Sequence, residues 1–110
     1  VPISKVFFDE RGEPIARVVE EGGRYVVSID VFKRVPSPPP DSEVLEIAGR
    51  YKIFIKKKPF GRGVCEFVYF QFYGETQLIN IKYTGLDEPN IYELLKEGDE
   101  EVAKSEEYKN

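Results

Sequence analysis

The chain has 110 residues, 41% of them hydrophobic and 14% aromatic, enough for one packed core and too short for two. It carries 16 basic and 20 acidic residues, a single cysteine, and no His, Met or Trp. Those absences exclude an internal disulfide, a thiolate or imidazole metal site and the commonest general base, so no cofactor and no metal are expected.

The first third reads as a β-meander. Ile3 to Phe8 is rich in β-formers, and Asp9-Glu10-Arg11-Gly12-Glu13-Pro14 is a turn holding both Gly and Pro. Ile15 to Glu20 makes a second strand, reversed at Glu21-Gly22-Gly23. Arg24 to Phe32 alternates cleanly, with Tyr25, Val27, Ile29 and Val31 on one face and Arg24, Ser28 and Asp30 on the other. That is the pattern of a strand with one wet face. Val35-Pro36-Ser37-Pro38-Pro39-Pro40-Asp41-Ser42 follows, a stiff and extended connector, because four prolines cannot donate to a ladder.

Strands then resume. Glu43 to Ile47 is one, and Arg50 to Lys56 another, with Tyr51, Ile53 and Ile55 on one face and Lys52, Phe54 and Lys56 on the other. Lys57 to Gly63 reads as a loop, since it holds two glycines and a proline. Val64 to Tyr73 is apolar on both faces and suits a central strand; Gly74-Glu75 turns it, and Thr76 to Tyr83 returns. Asn90 is a candidate N-cap for a helix over Ile91 to Glu97, with Gly98 as its stop. From Asp99 the chain is an acidic tail of marginal intrinsic helicity. The expected architecture is therefore mainly β or α+β. Two antiparallel meanders within residues 1–86 are joined by the connector at 35–42, and residues 87–110 supply a helix and an acidic tail that pack on them.

Charge is divided along the chain. Arg50, Lys52, Lys56, Lys57, Lys58 and Arg62 form a basic run with no acidic residue among them. From Asp87 to Asn110 nine acidic residues face three lysines, so the net charge of −4 divides into +2 for residues 1–86 and −6 for the rest. Such opposed blocks imply a charged partner, contact between copies, or closure of the tail on its own basic segment. Closure within one chain has the larger effective concentration.

Three function classes follow from these residues. Catalysis is disfavoured: no His accompanies a Ser or Cys nucleophile, and Cys65 lies in a strand between Val64 and Glu66. The paired acids Glu20-Glu21 and Glu100-Glu101 sit at a turn and in the tail, and Gly61-Arg62-Gly63 lacks the Lys-Ser/Thr sequel of a phosphate loop. Binding of single-stranded nucleic acid is the second class, because Lys56, Lys57, Lys58 and Arg62 adjoin Phe60, Phe67, Tyr69, Phe70, Phe72 and Tyr73. Residues Arg62 to Phe70 resemble the signature strand of RNA recognition motif domains, with one extra residue, Val64 for the first aromatic and no helix before residue 88. A pI near 5.0 runs against a dedicated nucleic-acid binder.

Assembly is the third class. Lys5-Val6-Phe7-Phe8-Asp9-Glu10-Arg11-Gly12-Glu13-Pro14-Ile15-Ala16-Arg17-Val18-Val19, followed by Gly23-Arg24-Tyr25-Val26-Val27, resembles a β-module of structural proteins in tailed-bacteriophage virions. There an Asp-x-x-Gly-x-Pro turn precedes a Val-Val strand and a Gly-x-Tyr hairpin follows. Over residues 5–32 the resemblance implies a β-rich, non-enzymatic part of a virus particle. Tyr- and Phe-rich surfaces are effective interface anchors in their own right. The leading expectation is thus a homo-oligomer or a contact with other structural subunits, through Lys56, Lys57, Lys58, Phe60 and Arg62; the alternative uses the same residues on a single strand. The opening residues lack a signal-peptide pattern and no stretch is apolar enough to cross a bilayer, so no membrane partner is expected. The Lys- and Glu-rich composition is compatible with a thermophilic source.

Overall fold

The computed structural model describes residues 1–108. It contains strands β1 (Ile3–Phe8), β2 (Pro14–Glu21), β3 (Arg24–Val35), β4 (Glu43–Ala48), β5 (Tyr51–Phe60), β6 (Gly63–Phe72) and β7 (Glu75–Gly85). Helix α1 (Ile91–Ser105) and a 3₁₀ turn (Glu106–Tyr108) follow. The strands form one antiparallel sheet in the order β1-β2-β3-β7-β6-β5-β4. The two meanders, β1 to β3 and β4 to β7, are thus fused where β3 pairs with β7. With one helix on a wholly antiparallel sheet, the fold is mainly β or α+β as the alternation implies.

Local chemistry sets the reversals. Asp9 Oδ1 accepts from the backbone N–H of Arg11 and of Glu13, each at 2.9 Å, closing the turn before β2. Gly22 and Gly23 both have positive φ, as a two-residue hairpin turn demands. At the β6–β7 hairpin the turn is Tyr73-Gly74, one residue earlier than expected, and Tyr73 takes φ +53°.

The connector joins the two meanders within one sheet. It must carry the chain from β3 past β7, β6 and β5 to β4, four strand spacings or about 19 Å. The seven residues between Val35 and Glu43 reach about 22 Å as polyproline II, of the order this crossing needs. Pro39 is buried and Asp41 lies 3.8 Å from Lys56, so the crossing runs over the same face as α1 and helps to cover it.

That face holds the core: Ala16, Val18, Val27, Ile29, Cys65, Phe67, Tyr69, Leu78, Ile81 and Tyr83, covered by Ile91 and Leu94 of α1. Asn90 caps the helix, its Oδ1 accepting from Tyr92 N at 2.9 Å and Glu93 N at 3.2 Å. Gly98 does not stop it. A Cβ at Gly98 would lie 2.5 Å from Ile81 Cδ1, so the glycine is the flat spot on which the helix rests and α1 runs on to Ser105. The acidic segment expected as a tail is, up to Ser105, helix; Lys109 and Asn110 lie outside the described residues.

The basic loop expected from Lys57 to Gly63 is also not a loop. β5 continues through Phe60, paired with β6, and only Gly61-Arg62 turn. Pro59 is tolerated because β4 begins opposite Ile55, so that beyond this point β5 has a neighbour on one side only. Gly63 pairs with both Phe60 and Gly85, and a Cβ there would strike Thr84 O and lie 2.6 Å from Gly85 Cα. Backbone cannot yield as a side-chain tip can. Gly63→Ala is therefore expected to cost about 2 kcal/mol or more in urea unfolding, whereas the same change at the exposed Gly49 meets nothing within 4 Å and acts only through its positive φ.

Candidate interaction surface

Register decides which residues share a face. Lys56 pairs with Phe67 and Lys58 with Cys65, and both partners are core residues, so these two lysines point to the helix side. There Lys56 Nζ donates to Glu101 Oε1 at 2.9 Å and Oε2 at 3.2 Å, and Lys58 donates to Glu97. Glu97 and Glu101 lie one helical turn apart on the face of α1 that meets the sheet. The side chain of Lys56 is 11% exposed and that of Glu101 1%. Lys104 at 3.5 Å and Asp41 at 3.8 Å complete the cluster around this pair. Two outer pairs, Lys33–Asp99 and Lys5–Glu88, tie the C-terminal segment to β3 and β1. Two lysines of the basic run and two glutamates of the acidic segment thus pair inside one chain, while Arg50, Lys52, Lys57 and Arg62 stay exposed.

The five residues expected to form one contact patch are consequently dispersed. Lys56 and Lys58 are engaged by the helix. Phe60 is half-buried, edge-on to Tyr83 with ring centroids 6.1 Å apart. Arg62 sits in the turn, its backbone N–H held by Asp87 Oδ1 at 3.2 Å, and that carboxylate also accepts from the Tyr83 hydroxyl. Lys57 projects from the opposite face, where its partner on β6 is Glu66.

That opposite face carries no helix, and its two halves differ in chemistry. Under β3 and β7 it is polar: Asn80 donates to Ser28 Oγ at 3.0 Å and to Asp30 Oδ1 at 3.1 Å, and Lys82 lies exposed beside Ser28. Under β5 and β6 it is apolar apart from the Lys57–Glu66 position, presenting Tyr51, Ile53, Ile55, Val64, Val68, Phe70 and Phe72. Tyr51 stacks on Phe72 at 4.6 Å and leans on Phe70 at 5.5 Å; Phe72 meets Tyr73 edge-on, and Arg50 lies 5.0 Å above the Tyr73 ring. Tyr73 is a bulky residue in left-handed backbone, a conformation that costs on the order of 1 kcal/mol and places its exposed ring at this corner. At the edge, β4 turns Glu43, Glu46 and Ala48 to this face and Val44 and Ile47 to the helix side, with Leu45 in a bulge; all six of its residues are exposed, among them Val44 (51%), Leu45 (64%) and Ile47 (63%). A shallow depression of about 200 Å³ lies between Val44, Leu45, Ile55, Lys57, Glu43 and Glu66.

The sequence signal for this surface was the alternation of β5, which gives two faces without saying which is inward. Convention puts Ile53 and Ile55 against the core; the structure puts Lys56 and Lys58 there, because α1 brings Glu101 and Glu97 to meet them. Among the described residues no group of acidic and cysteine side chains is placed to hold a metal, and no helix is long and apolar enough to cross a membrane. No family model, curated protein or solved structure matches this chain.

Several protons are held tightly on the helix side. Burial works against the Lys56 ammonium, but its hydrogen bond to Glu101 and the charges of Glu101 and Asp41 outweigh burial and raise its pKa. The bond to Glu97 does the same for Lys58. Burial pushes the Cys65 thiol up to about 12, and burial with the Asp87 contact pushes the Tyr83 phenol up to about 12. The Tyr69 phenol, buried and without a hydrogen-bond partner among the described residues, is raised by burial as well.

All five groups bind protons more tightly folded than unfolded. Their stabilisation is complete below the ordinary values of 9.0 for Cys, 10.0 for Tyr and 10.5 for Lys, and is lost as pH rises through the higher folded values. Thermal unfolding monitored by circular dichroism should show a midpoint steady toward pH 9 and falling above it; a midpoint unchanged at pH 11 would contradict this. For the buried pair, Lys56→Met is expected to cost about 3 kcal/mol in urea unfolding, while Lys56→Met with Glu101→Leu costs about 1 kcal/mol or less. Additive losses would show that the two residues are not coupled.

Proposed function

We propose that this chain is a non-enzymatic assembly protein that works through protein–protein contacts, made by the apolar half of its open sheet face and the adjoining β4 edge. The observation that carries the reading is the inverted polarity of β5, which turns Lys56 and Lys58 inward and Tyr51, Ile53 and Ile55 outward. A monomer with no partner would do better with the reverse: lysines in water, isoleucines under the helix and no carboxylate to bury. Contiguous apolar surface with aromatic anchors is the composition of an interface core. The resemblance of residues 5–32 to β-modules of tailed-phage structural proteins suggests a virion as the setting, with copies of the chain or other structural subunits as partners.

A second reading has its own observation. Arg50 and Lys52 remain exposed near the exposed rings of Tyr51 and Tyr73, with Lys57 and Arg62 exposed farther along the same hairpin, a combination that suits a single nucleic-acid strand. It is the weaker reading because the two most sequestered cations of the run are committed to the helix.

Sedimentation velocity from about 5 to 200 µM, at low and high salt, separates the two. The assembly reading expects a self-associated species that persists in salt and reverts to monomer when Ile53 and Phe70 are both changed to Ser. A monomer at every concentration would count against it. Salt-sensitive binding of an oligonucleotide, lost on changing Arg50 and Lys57 to Ala, would establish the second reading instead.

A further inference from the structure

We propose that the partner is a second copy of this chain, paired antiparallel through β4 about a two-fold axis so that the two sheets become one. This deepens the assembly reading and rests on it. β4 is the last strand of the sheet, so along its outer side the backbone donors and acceptors have no neighbouring strand among the described residues. Natural edges are usually blunted by lysine or other charges, proline, a bulge or shortness of the strand. Between Glu43 and Ala48 there is neither lysine nor proline; two glutamates and one bulge at Leu45 interrupt a strand that otherwise displays Val44, Leu45 and Ile47. The opposite edge, β1, differs in having Lys5 in its middle, held by Glu88.

Charge selects the occupant. The start of β4 is acidic, with Asp41 and Glu43, and its end is basic, with Arg50 at the hairpin tip and Lys52 beside Ile47. Whatever its register near the strand centre, antiparallel pairing with an identical strand lays the acidic start of each copy against the basic end of the other. The edge is therefore self-complementary twice over, as an isologous contact requires. Asp41 also lies 3.8 Å from Lys56, but Glu43 and Arg50 cannot satisfy each other within one chain: the six-residue strand holds its two ends about 20 Å apart, well beyond a Debye length of about 8 Å. Pairing also brings the apolar half-faces of the two copies, β5 and β6 of each, into one sheet, separated by the Glu43, Glu46 and Ala48 side chains that each β4 turns to that face.

The test is a charge exchange read by sedimentation equilibrium, with circular dichroism to verify folding. Arg50→Glu alone, and Glu43→Lys alone, should each weaken dimerisation about tenfold. Both changes in one chain should restore it to within about threefold of the natural protein. Ile47→Lys, an exposed-site change that leaves the core alone, should weaken it as well. A dimer indifferent to all of these changes but dissolved by Ile53→Ser with Phe70→Ser would overturn β4 pairing and leave the assembly reading standing. Failure of the double exchange variant to recover would also overturn it. A natural protein that stays monomeric at every concentration would overturn both.

Discussion

A sheet has two faces, and this chain supplies one helix. Seven strands span about 30 Å, whereas a 15-residue helix is about 22 Å long and about 10 Å wide. Even one face is more than α1 can cover, and the proline-rich connector takes up part of the remainder as it crosses on the same side. Nothing is left for the other face. Its chemistry must be settled by its own side chains, and the two meanders settle it differently. The first, with β7, uses Ser28, Asp30, Asn80 and Lys82, which hydrogen-bond one another or face water. The second leaves hydrocarbon and aromatic rings outward.

The separation of charge along the chain has an internal explanation. Glu97 and Glu101 are spaced to present two carboxylates on one stripe of α1, and Lys56 and Lys58, two apart on a strand, present two ammonium groups on one face. The blocks look like partner-seeking patches in sequence because helix and strand are distant along the chain. Folding brings them together at 2.9 Å for the inner pair. An ion pair this sequestered contributes little net stability, since desolvation offsets most of the attraction. What it provides is discrimination, for any arrangement that separates the two residues leaves a charge buried alone.

Much of the fold was legible from residues. The strand of Ile3 to Phe8, the Asp9 turn, the double-glycine hairpin and the Asn90 cap all follow from short-range chemistry that acts wherever the chain goes. The two misread segments are those where long-range structure overrides a local signal. Pro59 marks a loop unless the neighbouring strand happens to end at Ile55, which depends on β4. Gly98 marks a helix stop unless the helix must approach Ile81 closely, which depends on β7. The surface was harder still. Alternation in β5 was plain, but its sense depended on two glutamates some forty residues onward.

In a sheet, slipping a strand by one residue exchanges its faces, so register and orientation are the same choice. Apolar content alone leaves β5 undecided, because Ile53, Ile55 and Tyr51 on one side compete with Phe54 and Phe60 on the other for the place under the helix. The two-residue turn at Gly61-Arg62 and the Phe60–Gly63 pairing restrict the slip, and the lysine–glutamate pairs oppose it energetically, since a shift of one would send both ammonium groups to the open face and strand two carboxylates beneath the helix. The ion pairs therefore pin the register that turns Tyr51, Ile53 and Ile55 outward. The charges that looked like a contact surface instead determine where the apolar surface lies, which is why cations and hydrocarbon alternate along the same strand.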